Sequence, residues 1–371
     1  MPLKNKNDAT ALFSLHQQYE ANFVEFSGFQ MPLHYAPGIL NEHIHTRQKC
    51  SLFDVSHMGQ IDLSGMDVVK QFEALIPTDI NNLAENRSVY SVLTNQYGGV
   101  IDDLIITKRN NSLRLIVNAI NKSKVVDYLK KSMIDVSINL LEEYSLIALQ
   151  GPMSEKILSK IFKGHEKLVF MNGLPISFNN QDFFISRSGY TGEDGFEISL
   201  PNHAVLNFVS QLLAFDDVKL AGLGARDSLR IEAGLCLYGN ELSATITPVK
   251  AKLSWLITRH SSNRFPGSEI IFNELLNEPN VTKIGVTSDE KFIPRKDTVI
   301  NDVSGKKIGI VSSGCFSPIL QKSIALAFVE YNHAHLGNEI YFDIRGKSRP
   351  GKVVSLPFIS HKYIKTNKKA S

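Results

Sequence analysis

Two adjacent carboxylates inside an apolar run are the first residues of this chain that could do chemistry. Residues 98–103 read Gly-Gly-Val-Ile-Asp-Asp, and Leu104-Ile105-Ile106 follows at once. Asp is depleted in β-strands, and an unpaired charge is costly to bury. Successive side chains of a strand point to opposite faces, so one carboxylate can face a cavity while the other faces solvent or a satisfied partner. The pattern predicts one carboxylate held against a ligand, with the two glycines letting the backbone approach that ligand.

The residues after this strand predict that it returns as a hairpin. Asn110-Asn111 forms a polar break before a second strand pattern, and Asn suits a two-residue loop because it tolerates positive φ. Such a loop places Asp103 opposite Asn118, and directly opposed residues lie on one face of a sheet. The hairpin therefore predicts a carboxylate beside a carboxamide. A ligand site and a polar pair at a sheet edge are both consistent with it.

A second acid lies in an apolar strand after a glycine-rich segment. Residues 187–195 are rich in turn residues and lead into the strand pattern at Phe196–Leu200. A phosphate-binding loop needs a helix after its glycines, so this segment is interpreted as a turn. The turn does not account for Glu197. A carboxylate there could accept two hydrogen bonds from an amidine-like ligand edge, such as that of a pterin or guanine.

Two arginines on one predicted helix form the third candidate. Residues 222–234 have the pattern of a short helix that ends at Gly234. Arg226 and Arg230 are four residues apart and therefore share a face. One interpretation is an arginine held for a ligand carboxylate. The other is ordinary pairing between these arginines and neighbouring acids, and both stay open at this point.

Histidine and cysteine spacing argues against a metal site. His43 and His45 would point about 200° apart on a helix, whereas two helical ligands need a spacing of four residues. The cysteines, Cys50, Cys236 and Cys315, lie far apart and include no CxxC pair. This spacing indicates reduced thiols in a cytoplasmic setting, without a disulfide framework. We expect no metal.

Composition indicates a globular protein of two or three domains. The chain has 371 residues, of which 43% are hydrophobic and 21% charged. It has no apolar stretch near the roughly 18 residues of a membrane span, and residues 1–8 contain no apolar signal core. The net charge of +3 is too small to indicate nucleic acid. We therefore expect neither a membrane nor a nucleic-acid partner.

The charge is spread unevenly along the chain. Residues 260–371 carry 16 Lys and Arg against 10 Asp and Glu, so this part has a charge of +6 and the rest has −3. A basic C-terminal region could dock an acidic partner or an anionic ligand tail, or it could be a solvated surface. The residues from Lys362 onward are expected to fray.

The order of predicted elements favours an α+β fold. Helical patterns, the first at Thr10–Phe23, alternate with strand patterns such as Phe53–Leu63 and Leu174–Ser186. They lack the regular spacing of a parallel sheet. After about residue 270, short strands recur between Gly, Asn, Asp and Pro, which is typical of a β-barrel-like domain. The predicted domains are residues 1–270 and 271–371.

Taken together, these segments resemble the aminomethyltransferase family, the T-proteins of the glycine cleavage system. The resembling runs occur in the family's order and cover nearly the whole chain. They are His45-Thr-Arg-Gln-Lys-Cys-Ser-Leu-Phe-Asp-Val-Ser-His-Met58, Thr94-Asn-Gln-Tyr-Gly-Gly-Val-Ile-Asp-Asp-Leu104, Ala148-Leu-Gln-Gly-Pro152, Gly189-Tyr-Thr-Gly-Glu-Asp-Gly195, Ala225–Asn240, Gly309–Pro318 and Leu356-Pro-Phe-Ile359.

The resemblance implies two interlocked mixed α/β N-terminal subdomains and a C-terminal β-barrel, arranged as a cloverleaf around a central folate site. It implies a transferase that acts on the aminomethyl-dihydrolipoyl arm of a lipoylated H-protein, with tetrahydrofolate as the one-carbon acceptor. The products would be ammonia, 5,10-methylenetetrahydrofolate and the reduced lipoyl H-protein.

The resemblance also assigns roles to individual residues. Asp103 matches the family's essential aspartate beside the folate nitrogens. Residues that match the folate-binding or pocket positions are Glu197, Arg226, Tyr363, Met58, Tyr90, Asn118, Tyr190 and Tyr238. Of the matching segments, Ile359-Ser-His-Lys-Tyr363 follows the family pattern more loosely than the others.

Three other functions have features that distinguish them. A folate-dependent demethylase of methylated sulfur compounds would resemble this fold and differ around the aspartate. A non-catalytic, folate-binding relative that supports iron–sulfur assembly carries a Lys-Gly-Cys-Tyr-type motif, which is not found in this sequence. A scaffold with the fold alone would not need acids and an arginine in apolar surroundings.

Overall fold

The computed structural model describes residues 9–258 and 264–365. Eight α-helices fall within these ranges: α1 Phe13–Gln18, α2 Ile39–Gln48, α3 Val68–Glu73, α4 Lys122–Ser132, α5 Ser154–Leu158, α6 Asn202–Leu213, α7 Leu223–Glu232 and α8 Ser268–Asn277. The strands before residue 260 are β1 Asn22–Phe26, β2 Phe29–His34, β3 Cys50–Asp54, β4 Gly59–Gly65, β5 Ser88–Thr94, β6 Val100–Arg109, β7 Ser112–Val117, β8 Val136–Leu140, β9 Tyr144–Gln150, β10 Gly173–Phe178, β11 Gln181–Ser186, β12 Gly195–Pro201 and β13 Val218–Leu220. The later strands are β14 Val281–Ser288, β15 Val299–Asn301, β16 Lys307–Ser317, β17 Lys322–Glu330, β18 Glu339–Ile344 and β19 Lys347–Val354.

The N-terminal part contains two interlocked sheets. A six-stranded sheet has the order β10-β11-β12-β9-β3-β13, and a five-stranded antiparallel sheet has the order β5-β6-β7-β4-β8. The chain enters the first sheet with β3, builds the whole second sheet, and returns to the first with β9. Strands β14 to β19 close a six-stranded barrel. The predicted α+β fold with interlocked N-terminal subdomains and a C-terminal barrel is confirmed, and the predicted boundary after residue 270 stays a prediction.

Three sequence-based elements were wrong, each because a local turn interrupts an apolar run. The predicted strand Phe53–Leu63 is two strands in different sheets, since the Asp54 carboxylate accepts the Ser56 amide at 2.9 Å and turns the chain. The predicted strand Leu174–Ser186 is the hairpin of β10 and β11, with φ of +50° and +61° at Asn179 and Asn180.

The third is the predicted helix Thr10–Phe23. Helix α1 ends at Gln18, and the chain turns at Glu20 with φ of +53° before it continues as β1. The apolar residues after this turn belong to the two-stranded β1–β2 hairpin. Period alone could not separate these two short elements.

Each N-terminal sheet is covered by helices on its apolar face. Helix α6 buries Phe208 and Leu212 against the six-stranded sheet. Helix α4 buries Val125 and Leu129 against the five-stranded sheet, together with Phe72 from α3. These helices fix the strands whose ends carry the candidate site residues.

A buried ion pair joins the N-terminal part to the barrel. Arg230 on α7 donates to Glu241 at 2.7 Å, and both side chains are almost fully buried. Ser312 and Ser313 of β16 donate to the same carboxylate at 2.5 and 2.7 Å. Arg230 also donates to the Ser313 hydroxyl at 2.6 Å and to Asp227 at 2.9 Å.

We expect Arg230→Met to lower the free energy of unfolding by roughly 3–5 kcal/mol, because it leaves the Glu241 carboxylate buried without its cation. Asp227→Asn is the matched control. It removes the half-exposed partner of the same arginine and should cost no more than about 1 kcal/mol. Urea denaturation of the purified variants measures both. Equal losses would show that the buried pair does not hold the interface.

Candidate functional site

Asp103 lies on β6, beside the carboxamide that the hairpin predicted. The register pairs Arg109 with Ser112 and Leu104 with Val117. One residue further, Asn118 Nδ2 donates to Asp103 Oδ1 at 2.7 Å. The two-residue loop and the pairing across the ladder are therefore confirmed.

The other oxygen of Asp103 faces Tyr90. The Tyr90 hydroxyl donates to Asp103 Oδ2 at 3.0 Å, and burial raises the pKa of this hydroxyl well above its ordinary value. The Tyr90 ring stacks on Trp255, with 5.9 Å between ring centroids. Trp255 is 64% exposed, although it lies on a turn whose neighbour Leu256 is buried. Sequence analysis missed Trp255, whose one signal was that it is the only tryptophan of the chain.

Asp102 points to the opposite face and meets satisfied partners instead of solvent. Its side chain is fully buried. Asn118 donates to it twice, from the backbone N at 3.1 Å and from Nδ2 at 2.8 Å. Asn121 Nδ2 adds a third donor at 2.6 Å. Of the two predicted alternatives for this carboxylate, the structure shows the second.

Burial raises the pKa of both carboxyls. The pair titrates at about 7 for Asp102 and about 6 for Asp103, well above the ordinary carboxyl value. The charge of Asp103 adds to the rise at Asp102, and hydrogen bonds from Asn118, Asn121 and Tyr90 oppose it. Because the two groups interact, these values belong to the pair. The site thus holds a carboxyl that titrates close to neutral pH.

Glycine is required at the two positions before this strand for a different reason from the predicted one. A side chain at Gly99 would meet the carbonyl oxygen of Ala244 at 1.9 Å. Gly98 has φ of +77°, in the left-handed region. The close backbone approach is therefore made by the 243–246 loop of the protein, and the expectation that these glycines admit a ligand was wrong.

Arg226 is a cation of the site that has no acidic partner among the described residues. Its guanidinium lies over the Tyr190 ring, 4.7 Å from the centroid. Its Nη1 atom is buried and has no hydrogen-bond partner among the described residues. Burial lowers the pKa of this guanidinium, and the nearby charge of Glu197 opposes the shift. Arg230 instead makes the ordinary ion pairs described above, so the ligand interpretation stays a prediction for Arg226.

Two further polar groups surround Arg226. The Tyr190 hydroxyl donates to the carbonyl oxygen of Cys236. His57 is buried beside the Phe26 ring, and its Nδ1 has no partner in the described part of the chain. Burial, with the charge of Arg226 as the second cause, lowers the pKa of His57 to about 3, so its imidazole is neutral. Arg226 and His57 thus leave two buried polar atoms for a ligand.

Glu197 lies half-buried on β12 near this cation. The Ser188 hydroxyl donates to its Oε2 at 2.6 Å, and no side chain within residues 9–258 and 264–365 donates a hydrogen bond to the other oxygen. The charge of Glu197 acts on both Arg226 and Tyr363. A carboxylate and a guanidinium therefore face one region from different elements.

Tyr363 is brought to the same region by the C-terminal segment. Its ring stacks face to face on Phe170, with 3.9 Å between centroids. The Lys362 amide donates to the Gly192 carbonyl at 2.8 Å. Burial raises the pKa of the Tyr363 hydroxyl. The charge of Arg47 lowers this pKa, and the charge of Glu197 raises it further. The expected fraying is wrong for residues 362–365, because backbone hydrogen bonds join this segment to Gly192 and Phe170. Residues 366–371 lie outside the described part.

The remaining predicted residues line the same region more loosely. Met58 packs against the apolar cluster that contains Phe53 and Ala225. The Tyr238 hydroxyl accepts a hydrogen bond from Lys124 Nζ at 3.3 Å. The structure thus gathers Asp103, Tyr90 and Asn118 at one point and Tyr190, Arg226, Glu197 and Tyr363 at another. The charge of Asp103 acts on Tyr190, which links the two points.

The histidines considered for a metal have other partners. His43 lies 2.8 Å from the Ser228 hydroxyl and 2.9 Å from Glu232. His45 contacts the carbonyl oxygens of Cys50 and Asp217. Within the described ranges, no group of three or more His, Cys, Asp or Glu side chains is arranged to hold a metal ion.

The family is shown by comparison with known proteins. Residues 12–261 match the GCVT N-terminal domain, and residues 283–359 match the glycine cleavage T-protein C-terminal barrel domain. The chain belongs to this family, the aminomethyltransferases of the glycine cleavage system. The T-protein resemblance and the fold class are confirmed.

Individual relatives agree over almost the full length. The mitochondrial aminomethyltransferase of Dictyostelium discoideum is 39% identical, with 97% of this chain and 94% of that protein covered. The mitochondrial enzyme of Pisum sativum is 40% identical, with 96% and 90% covered. The crystal structure of glycine cleavage system aminomethyltransferase T from Bartonella henselae is 36% identical, with a TM-score of 0.93 and coverage of 97% and 100%.

Two expectations concern membrane association and cellular compartment. Among the described helices, none is long and apolar enough to cross a membrane. The relatives from Dictyostelium discoideum and Pisum sativum are named as mitochondrial proteins. The expected cytoplasmic setting stays a prediction.

Proposed function

We propose that this chain transfers the one-carbon unit of an aminomethyl-dihydrolipoyl H-protein to tetrahydrofolate. In this reaction the bond from the methylene carbon to the amine breaks and ammonia leaves. The carbon–sulfur bond breaks and regenerates the dihydrolipoyl thiol. Two folate N–H groups lose their protons and bond to the carbon, which gives 5,10-methylenetetrahydrofolate. The observation that carries the proposal is the buried carboxyl of Asp103, whose raised pKa is about 6 and whose charge acts on Tyr190, the same ring that supports a guanidinium with no acidic partner among the described residues.

Asp103 suits the chemical role. A folate nitrogen must lose its proton as it attacks the electrophilic carbon, and a base works best when its pKa is near the operating pH. Asp103 reaches the site from a strand, with Tyr90 and Asn118 fixing both oxygens. Its charge would also stabilise the iminium-like carbon formed when ammonia leaves. No cation among the described residues pairs with Asp103 to cancel that charge.

Glu197 and Arg226 suit binding more than chemistry. A pterin presents an amidine-like edge of N–H donors, and a carboxylate is the matching acceptor. Arg226 offers buried N–H donors to a carbonyl or carboxylate of the ligand. Tyr363 stacked on Phe170, and Tyr190 beneath Arg226, supply flat apolar walls. Together these groups fit a flat heterocycle with a polar edge and an acidic tail, which describes tetrahydrofolate.

The carrier's docking surface stays a prediction. The basic run Arg345–Lys352 lies around the turn between β18 and β19 of the barrel, where Lys347 and Lys352 are exposed. Such exposed charges mainly raise association rates and are screened by salt. They are available to an acidic carrier.

Asp103→Asn should keep folding and folate affinity but lower turnover by about 10²–10⁴-fold, because it removes the base while keeping the shape. Ammonia release from aminomethylated H-protein, with and without tetrahydrofolate, measures this. Asp182→Asn, which changes an exposed acid on β11, is the control and should be unaffected. Near-normal turnover in Asp103→Asn would sink the assignment.

Glu197→Gln and Arg226→Ala should each weaken tetrahydrofolate binding about tenfold to a hundredfold, since each removes a charged hydrogen bond worth roughly 1.5–3 kcal/mol. Isothermal titration calorimetry measures the affinity. Arg109→Ala is matched to Arg226→Ala, because Arg109 also stacks on an aromatic ring, Phe184, at 4.2 Å. It lies six residues along β6 from Asp103, about 20 Å away. Unchanged affinity in both site variants would rule out the binding role.

Turnover should fall as the pH drops through the titration of the carboxyl pair, because protonated Asp103 cannot act as a base. The acid limb should therefore lie between about pH 6 and 7. The rate of ammonia release at saturating substrates, measured from pH 5 to 8, locates this limb. An acid limb near the ordinary carboxyl pKa of about 4 would contradict the buried pair as its source.

A further inference from the structure

Asp102 is a buried anion site without a cation. Its side chain has no exposed surface, and no ion pair to it occurs among the described residues. Three N–H groups, two from Asn118 and one from Asn121, donate to its oxygens at 2.6 to 3.1 Å. Such an arrangement of donors favours the ionised form of a carboxyl, as it does at other buried carboxylates.

The Asn118 carboxamide connects this anion to Asp103. Its Nδ2 donates to Asp102 Oδ1 at 2.8 Å and to Asp103 Oδ1 at 2.7 Å. A carboxamide nitrogen has two N–H groups, so one serves each carboxylate. Rotating the amide by 180° would turn its oxygen toward two acids. Asp102 therefore fixes which end of Asn118 meets Asp103.

A proton shared by the two acids has a hydrogen-bond acceptor beside Asp103. Two carboxylates joined through one amide in a buried setting resist double ionisation. Around Asp102 the partners are N–H groups, which cannot accept a hydrogen bond from a protonated carboxyl. Beside Asp103 lies the Tyr90 hydroxyl, which can donate or accept. A proton on Asp103 can therefore be hydrogen-bonded by Tyr90, whereas the described partners of Asp102 offer it no acceptor.

Among the other titratable groups near Asp103, Glu241 also raises its pKa. The charge of Asp103 acts on Tyr190 and Cys236, and burial raises the pKa of each, so both are uncharged near neutral pH. Glu241 is ionised and is matched by Arg230 at 2.7 Å. Lys124 is directed to the Ile101 carbonyl and the Tyr238 hydroxyl. Asp102 is the unmatched anion beside Asp103.

We infer that Asp102 is a positioning residue, whose carboxyl orients the Asn118 amide toward Asp103 and, when ionised, makes Asp103 a stronger base. The inference rests on the proposed function, in which Asp103 accepts the proton of a folate N–H. Side chains on both faces of β6 therefore influence the Asp103 carboxyl.

Asp102→Asn tests the inference through the pH profile. Removing the neighbouring charge should move the acid limb of turnover to lower pH by about one unit. Loss of the Asn118 orientation should lower the plateau rate by up to about a hundredfold. A purely structural role would lower the rate without moving the limb, and that result would overturn the inference.

Asn121→Ala is the second variant, because it weakens the donor set of Asp102 without touching Asp103. It should move the limb in the same direction by less than Asp102→Asn does. It also keeps the test decisive if Asp102→Asn does not fold. An unmoved limb in Asn121→Ala, in a protein whose ¹³C resonances show Asp102 to be more protonated than in the unchanged protein, would overturn the inference.

A readout without substrates separates the inference from the proposed function. The aspartates are labelled with ¹³C at the carboxyl carbon, and the resonance missing in Asp103→Asn is that of Asp103. In the unchanged protein it should titrate above the ordinary range, and in Asp102→Asn about one pH unit lower. Normal titration near pH 4 in both would overturn the inference. The expected shift in a protein without aminomethyl transfer would instead reject the proposed function.

Discussion

The candidate site depends on one constraint, which is that two carboxylates are held in an apolar interior without a cation. Neutral N–H and O–H donors must then satisfy them. Asn118 and Asn121 supply most of these donors from the turn directly after β7. Helix α4 begins at the next residue and anchors that turn, because it buries Val125 and Leu129 against the same sheet. The hairpin, the turn and the helix are therefore required together, and a change in any one would leave a charge unsatisfied.

The barrel supports the candidate site through a series of contacts that ends at the Arg226 guanidinium. Lys283 of β14 lies 2.8 Å from the Cys236 sulfur. The Cys236 carbonyl accepts the Tyr190 hydroxyl, and the Tyr190 ring carries the Arg226 guanidinium. The Arg230–Glu241 pair fixes the same loop from its other side through the serines of β16. The C-terminal domain thus positions the site, which lies chiefly on N-terminal elements.

Sequence reasoning was accurate where local rules decide the structure. The Asn110-Asn111 loop fixes the register, and the two-residue period of a strand then places Asp103 beside Asn118. It failed where the partner is remote in sequence. Trp255, which is far from Tyr90 in sequence, stacks on its ring, and Ala244 occupies the space beside Gly99. The two-residue period of the strand also gives the direction of the Asp102 side chain. Whether hydrogen-bond donors lie in that direction depends on the fold.

Arg226 and Arg230 lie on one helix face, but the fold gives them different partners. Arg230 finds Glu241 and Ser313, so its charge contributes to the domain interface. Arg226 has aromatic support only from Tyr190 and keeps a buried N–H without a partner in the described chain. Such a donor destabilises the unbound protein, because its desolvation is not offset by a hydrogen bond. A ligand acceptor recovers that free energy on binding, and the group is already in place when the ligand arrives. In the proposed function, the free energy lost by leaving the Arg226 N–H unpaired is recovered as affinity for a ligand that carries the matching oxygen.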